Sequence, residues 1–247
     1  MTSQPFKPKG IRVFHKLFIT AVATLVLWGC AAHAPVVETS DTREQAQPGS
    51  LPAGQGWWYA RFHIDRPEAD ETSWYMGTLI GGEVIAPVFD EYYQDVYVWR
   101  IHRRAGTDSY GHVFSFIFYS TAPGAQRIFN AIENNAVVKS ELESGRLTRV
   151  TVDDVTKITR PNIEDTSDTS WPLSVQKTWP AMIMGASRMW LDLVSDLAAR
   201  ESATGGLEAK YRKVQDEITG IWSEQGQHAI LHHLNAVYAY QPLLIRY

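Results

Sequence analysis

Apolar and polar positions alternate cleanly through the first half of the chain. In 57–64, "WWYARFHI", Trp58, Ala60, Phe62 and Ile64 fall on one side; Trp57, Tyr59, Arg61 and His63 fall on the other. A period of two is the mark of a half-buried strand. Residues 96–106 repeat it, with Tyr97, Trp99 and Ile101 against Val98, Arg100, His102 and Arg104. The run 112–120, "HVFSFIFYS", completes a hairpin across the polar loop 105–111. Between these runs, "SWYMGTLIGGEVIAPVFDEYY" predicts two further strands joined at Gly81-Gly82, a hairpin signal.

The period then changes. Ser120 or Thr121 can cap a helix, Pro123 suits its first turn, and Ala125, Ile128, Phe129 and Ile132 share a face. Gly145 closes the stretch, and "RLTRVTVDD" resumes as a strand. Strand 112–120, helix 122–143 and strand 146–152 form a βαβ unit, so the pattern predicts an α+β, ferredoxin-like fold with helices on one face. Residues 153–175 are aperiodic. A long helix is expected from Thr178, with Pro180 in its first turn and Ile183, Trp190, Leu191, Val194 and Leu197 inward. Gly205-Gly206 breaks it before a second helix striped by Tyr211, Val214, Ile218, Ile221, Trp222, Ala229 and His232, making a C-terminal helical hairpin. The tail "PLLIRY" can add an edge strand.

The first 29 residues follow a different logic. Lys7, Lys9, Arg12 and Lys16 make a basic start, and no acidic residue precedes Glu38. Leu17 to Gly29 is a 13-residue apolar run. A spanning helix needs about 20 such residues, so the run fits the apolar region of an export signal. Leu27, Trp28, Gly29 and Cys30 then resemble the lipobox of bacterial lipoproteins, with a bulky Trp28 where a small residue is usual. The resemblance implies diacylglyceryl transfer to the Cys30 thiol, cleavage before it, and acylation of the new amine. Ala31 stands where an Asp implies inner-membrane retention, so the resemblance points to the periplasmic face of the outer membrane. The chain therefore divides into a signal (1–29), a lipid-anchored tether (30–55), a sheet domain (56–155), and a loop with helical hairpin (156–247). The tether spans about 25–30 Å as a flexible chain.

Charge narrows the partners. Removing the signal takes four of the 23 basic residues and none of the 27 acidic ones, leaving −8. Such a chain has no general attraction for nucleic acid. Cys30 is the single cysteine, so no disulfide forms within the chain.

Candidate chemistry is sparse. Arg100, His102 and Arg104 share a strand face at about 6.8 Å spacing and can grip a phosphate or carboxylate; a solvated sheet face is the plainer reading. Trp171 and Trp179 flank a non-periodic stretch that can expose them for stacking on a sugar; core filling, the usual role of aromatics at regular periods, is the alternative. His228 and His232, four apart on a helix with His233 beside them, can share a metal; half-buried helix histidines are the alternative. No GxSxG, P-loop or GxGxxG occurs, and no cofactor is expected. These readings favour a non-catalytic binding or assembly module for a partner protein or envelope glycan. A carrier of a small lipid or glycan, or a metal enzyme using the helix histidines, is the alternative.

Overall fold

A computed structural model of the chain describes residues 54–65, 74–105, 111–202 and 204–242. The expected signal, Cys30 and nearly all of the tether lie outside the described residues, as does most of "PLLIRY".

The alternating segments are strands: β1 (Gln55–Ile64), β2 (Val98–Ala105), β3 (His112–Thr121) and β4 (Leu147–Val152). They form one antiparallel sheet in the order β2-β3-β1-β4. β3 and β4 both run antiparallel to β1 and so run parallel to each other, with β1 between them. The expected βαβ unit is present in this split form. Its helical part breaks in two at Asn135: α3 (Ala122–Asn134) and α4 (Ala136–Glu143). Thr121 caps α3 by accepting from the Gly124 N–H, and Asn135 caps α4 by accepting from Val137 and Val138.

The segment read as a Gly81-Gly82 hairpin is helical instead. It comprises α1 (Trp74–Ile80), a π-helical stretch (Gly81–Ile85) and α2 (Ala86–Tyr92). The two glycines are not turn residues. A Cβ on Gly81 would come within 2.8 Å of the Trp190 ring, and one on Gly82 within 2.4 Å of the Tyr211 hydroxyl. They are bare because later helices press against them. With this helix in place the order becomes β-α-β-β-α-β in four strands, compatible with the ferredoxin-like arrangement.

One sheet face makes the core. Across the register, Trp99, Phe118 and Trp58 form one row, and Ile101, Phe116 and Ala60 the next. The third row is Arg103, Phe114 and Phe62. Phe114, Phe116 and Phe118 are buried, and Phe129 of α3 meets Phe118 edge-on at 5.6 Å. Met76, Leu79, Ile80, Val84 and Ile85 complete the same core.

The helical hairpin is α5 (Leu173–Arg200) and α6 (Gly206–Gly226), followed by a π-helical turn (Gln227–His232) and α7 (His233–Val237). Leu191, Val194, Leu197, Tyr211 and Val214 join the sheet core. Helix α5 starts earlier than Pro180 suggested and runs through it. Proline removes the N–H that would reach the Gln176 carbonyl; the Ser167 hydroxyl donates to that carbonyl instead, at 2.7 Å. Further along, α5 lies against edge strand β2, where the Ser187 hydroxyl accepts from the Ile101 N–H at 3.0 Å. Beyond Ile221 the expected stripe is not buried: Trp222 is 57 % exposed, and Ala229 and His232 are exposed.

Candidate functional site

The outer face of the sheet carries the polar half of the alternation. The register sets Val98, Tyr119 and Trp57 in one row, then Arg100, Ile117 and Tyr59. The next row is His102, Ser115, Arg61 and Thr151, and the last is Arg104, Val113, His63 and Arg149.

The first two rows are covered. Segment 153–172 crosses them, and Ile163 packs on Trp57, Ile117 and Tyr119. Trp57 Nε1 donates to the Ile163 carbonyl at 3.0 Å, and the Tyr119 hydroxyl to the Pro161 carbonyl at 2.6 Å. Asp153 binds both Arg61 and Arg160, whose guanidinium groups lie 4.5 and 4.1 Å from the Tyr59 ring centre.

This cover gathers three of the residues singled out from the sequence. Arg100 Nε donates to Thr166 Oγ1 at 3.0 Å, and its guanidinium lies 5.2 Å from the Trp179 ring. Trp179 in turn meets Trp171 edge-on at 5.4 Å. Arg100, Trp171 and Trp179 thus form a clasp between sheet and α5, both indoles being half-buried. Dehydration of the Arg100 guanidinium lowers its pKa.

The other two rows are more open. His102 and Arg149 are exposed; Arg61, His63, Arg104 and Thr151 are half-buried. Among the described residues Arg149 has no ion pair, and Asp153 at the margin is the carboxylate bound to Arg61. Both imidazoles are held below their ordinary value, first by loss of hydration and then by the neighbouring positive charge. Partial burial, then Arg149 and Arg61, hold His63 below the ordinary 6.5. Partial burial, then Arg100 and Arg104, do the same for His102. Such a surface, roughly 14 Å across four strands, suits an anionic or acidic partner.

Arg61, His63 and Arg149 were not singled out as site residues. The β1 alternation already put Arg61 and His63 on a polar face. What the sequence withheld was the strand order, which places β1 and β4 beyond β3 on the same surface as β2.

His228, His232 and His233 sit together on the exposed C-terminal helix, their ring centres 5.1–5.5 Å apart. The Tyr240 hydroxyl lies 3.4 Å from His232 Nε2. Among the described residues no group of three or more His, Cys, Asp or Glu side chains could hold a metal ion. Also among them, no helix is long and apolar enough to cross a membrane.

No family model, no curated protein and no solved structure matches the chain.

Proposed function

We propose that the chain is a lipoprotein anchored through Cys30 to the periplasmic face of the outer membrane. Its body is a non-catalytic binding or assembly module for an envelope component or partner protein. The observation that supports the binding role is the open half of the outer sheet face. There Arg104 and Arg149 carry the positive charge, beside Arg61, which is bound to Asp153, and two imidazoles, His63 and His102, on a chain whose net charge after signal removal is −8. A cationic patch on an acidic body selects partners that present negative charge locally.

Two experiments test the two halves of this reading. Cys30→Ser should abolish labelling by a palmitate analogue and leave the signal uncleaved. Unchanged outer-membrane fractionation of that variant would show the anchor to be wrong. For binding, a photo-crosslinking residue at position 102 in intact cells should trap one specific neighbour. The adduct should disappear in Arg61→Glu/Arg149→Glu. An adduct indifferent to those charges, or none in expressing cells, would sink the sheet-face role.

A further inference from the structure

We infer that the outward face of α5 pairs with the same face of a second copy of this chain, the two helices running antiparallel about a two-fold axis at Gly185.

Helix α5 is apolar on two sides. Its buried side carries Pro180, Ser187, Leu191, Val194 and Leu197. Half a turn away, Val175, Met182 and Met189 stand at seven-residue spacing, with Thr178 and Gly185 between them. All five face solvent, and Val175, Met182 and Met189 are 42, 47 and 40 % exposed. Ala186, on the flank of this stripe, is exposed as well. From Leu173 to Ser187 the single charged residue is Lys177. A helix that is apolar all round belongs in an interior, yet among the described residues this side is left bare. A repeat of seven is the spacing at which two helices keep one seam in contact over several turns. Residues 175–196 supply a seam of about 33 Å.

The charges at the two ends of the stripe select its occupant. Lys177 lies beside the first half, and Asp192 and Asp196 lie in the second. Two parallel copies would set Asp192 against Asp192 and Asp196 against Asp196, like charge on like. Antiparallel copies centred on Gly185 instead bring Lys177 level with Asp192 of the other copy, once at each end. Among the described residues Lys177 has no ion pair. Asp192 accepts from Arg188 Nε of its own helix at 2.8 and 2.9 Å, but both side chains are more than half exposed. A carboxylate has about four acceptor sites, so it can take the Lys177 ammonium too. The same alignment sets Gly185 against Gly185 and Met182 level with Met189 of the other copy. A Cβ on Gly185 would meet nothing within 4 Å. The surface dips there, and Gly185, Arg188, Met189, Asp192, Leu193 and Asp196 line a shallow groove. The unbranched Met182 side chain of the second copy adapts to such a groove. A two-fold pairing of this kind is closed, so it stops at a dimer.

The test is photo-crosslinking of the full chain in expressing cells, with adduct normalised to the amount of chain. A photo-reactive residue at position 186, beside the seam, should give an adduct of twice the chain's mass, joined to α5 of a second copy by mass spectrometry. Met182→Glu and Met189→Lys change exposed side chains and leave the core untouched. Each alone puts unpaired charge into the seam and should lower the adduct about tenfold or more. In Met182→Glu/Met189→Lys the new carboxylate of each copy meets the new ammonium of the other, and most of the adduct should return. A parallel pair would set like charges together in that double variant and stay apart. Co-expressing the two single variants should also restore the adduct. An adduct with a different protein, none in expressing cells, or no recovery in the double variant would overturn the proposal. The sheet-face reading stands or falls separately, by its own crosslink at position 102.

Discussion

Gly82 offers a direct trial of how the helices fit together. In Gly82→Ala the added methyl would sit 2.4 Å from the Tyr211 hydroxyl and 3.0 Å from two of its ring carbons. Tyr211 is 1 % exposed, and its hydroxyl donates to Glu83 Oε1 at 2.7 Å, so the ring cannot swing away freely. Overpacking of this kind costs about 1–3 kcal/mol. Alanine recovers up to about 1 kcal/mol through its better helix propensity. The net expectation is a loss of about 1–2 kcal/mol. Gly185 supplies the contrast: it lies inside α5 with nothing within 4 Å of an added Cβ. Gly185→Ala should therefore gain up to about 1 kcal/mol. Urea unfolding followed by far-UV circular dichroism measures both. A third variant isolates the contact. Tyr211→Phe removes the atom closest to the methyl, so Gly82→Ala/Tyr211→Phe should lose less than the sum of the single losses. If Gly82→Ala were as stabilising as Gly185→Ala, α6 would not press on this helix and the packing argued above would be wrong.

Three further expectations follow from particular contacts. Glu141 has a side chain only 4 % exposed and is held by Arg146 through bonds of 2.5 and 2.9 Å; Arg146→Ala should cost about 1.5–3 kcal/mol, and Glu141→Gln beside it should recover part, read by the same unfolding assay. Phe116 is fully buried between Trp99 and Phe118, so Phe116→Ala should cost about 3–5 kcal/mol, and a loss under 1 kcal/mol would contradict its central place. His63 and His102 are held below 6.5, so the folded state binds fewer protons than the unfolded chain; stability should fall as pH drops through 6.5 toward the depressed values, and Arg149→Gln should raise the His63 midpoint in an NMR titration. A His63 midpoint at or above 6.5 would refute the electrostatic account of that face.

The strands were legible because each has one wet and one dry face, which alternation records directly. The helix at 74–92 was not. Tyr75 through Ile80 are all buried, so no polar stripe marks a period of 3.6. Gly81-Gly82 then mimics a turn, because a glycine bare for the sake of a neighbouring helix looks the same in sequence as one bare for a left-handed backbone. The start of α5 was misplaced for a similar reason. Pro180 reads as a first-turn residue until Ser167, thirteen positions away, is seen donating to the orphaned Gln176 carbonyl. The candidate site was half visible. Arg100, Trp171 and Trp179 were picked out and do meet, but as a clasp. Arg103 continues the Trp99 and Ile101 face, where the same alternation sets a cation on the packed side of the sheet.

The Ser187 hydroxyl on the Ile101 N–H has a consequence for self-association. An open sheet has two borders, and a molecule that exposes both can polymerise without limit. Here the β2 border is occupied by α5. The β4 border is six residues long and has Thr148 and Arg149 exposed. Joining two such molecules border to border through β4 leaves no second border to extend from. Among the described residues, strand-to-strand assembly through β4 therefore terminates at a pair rather than growing into a fibre.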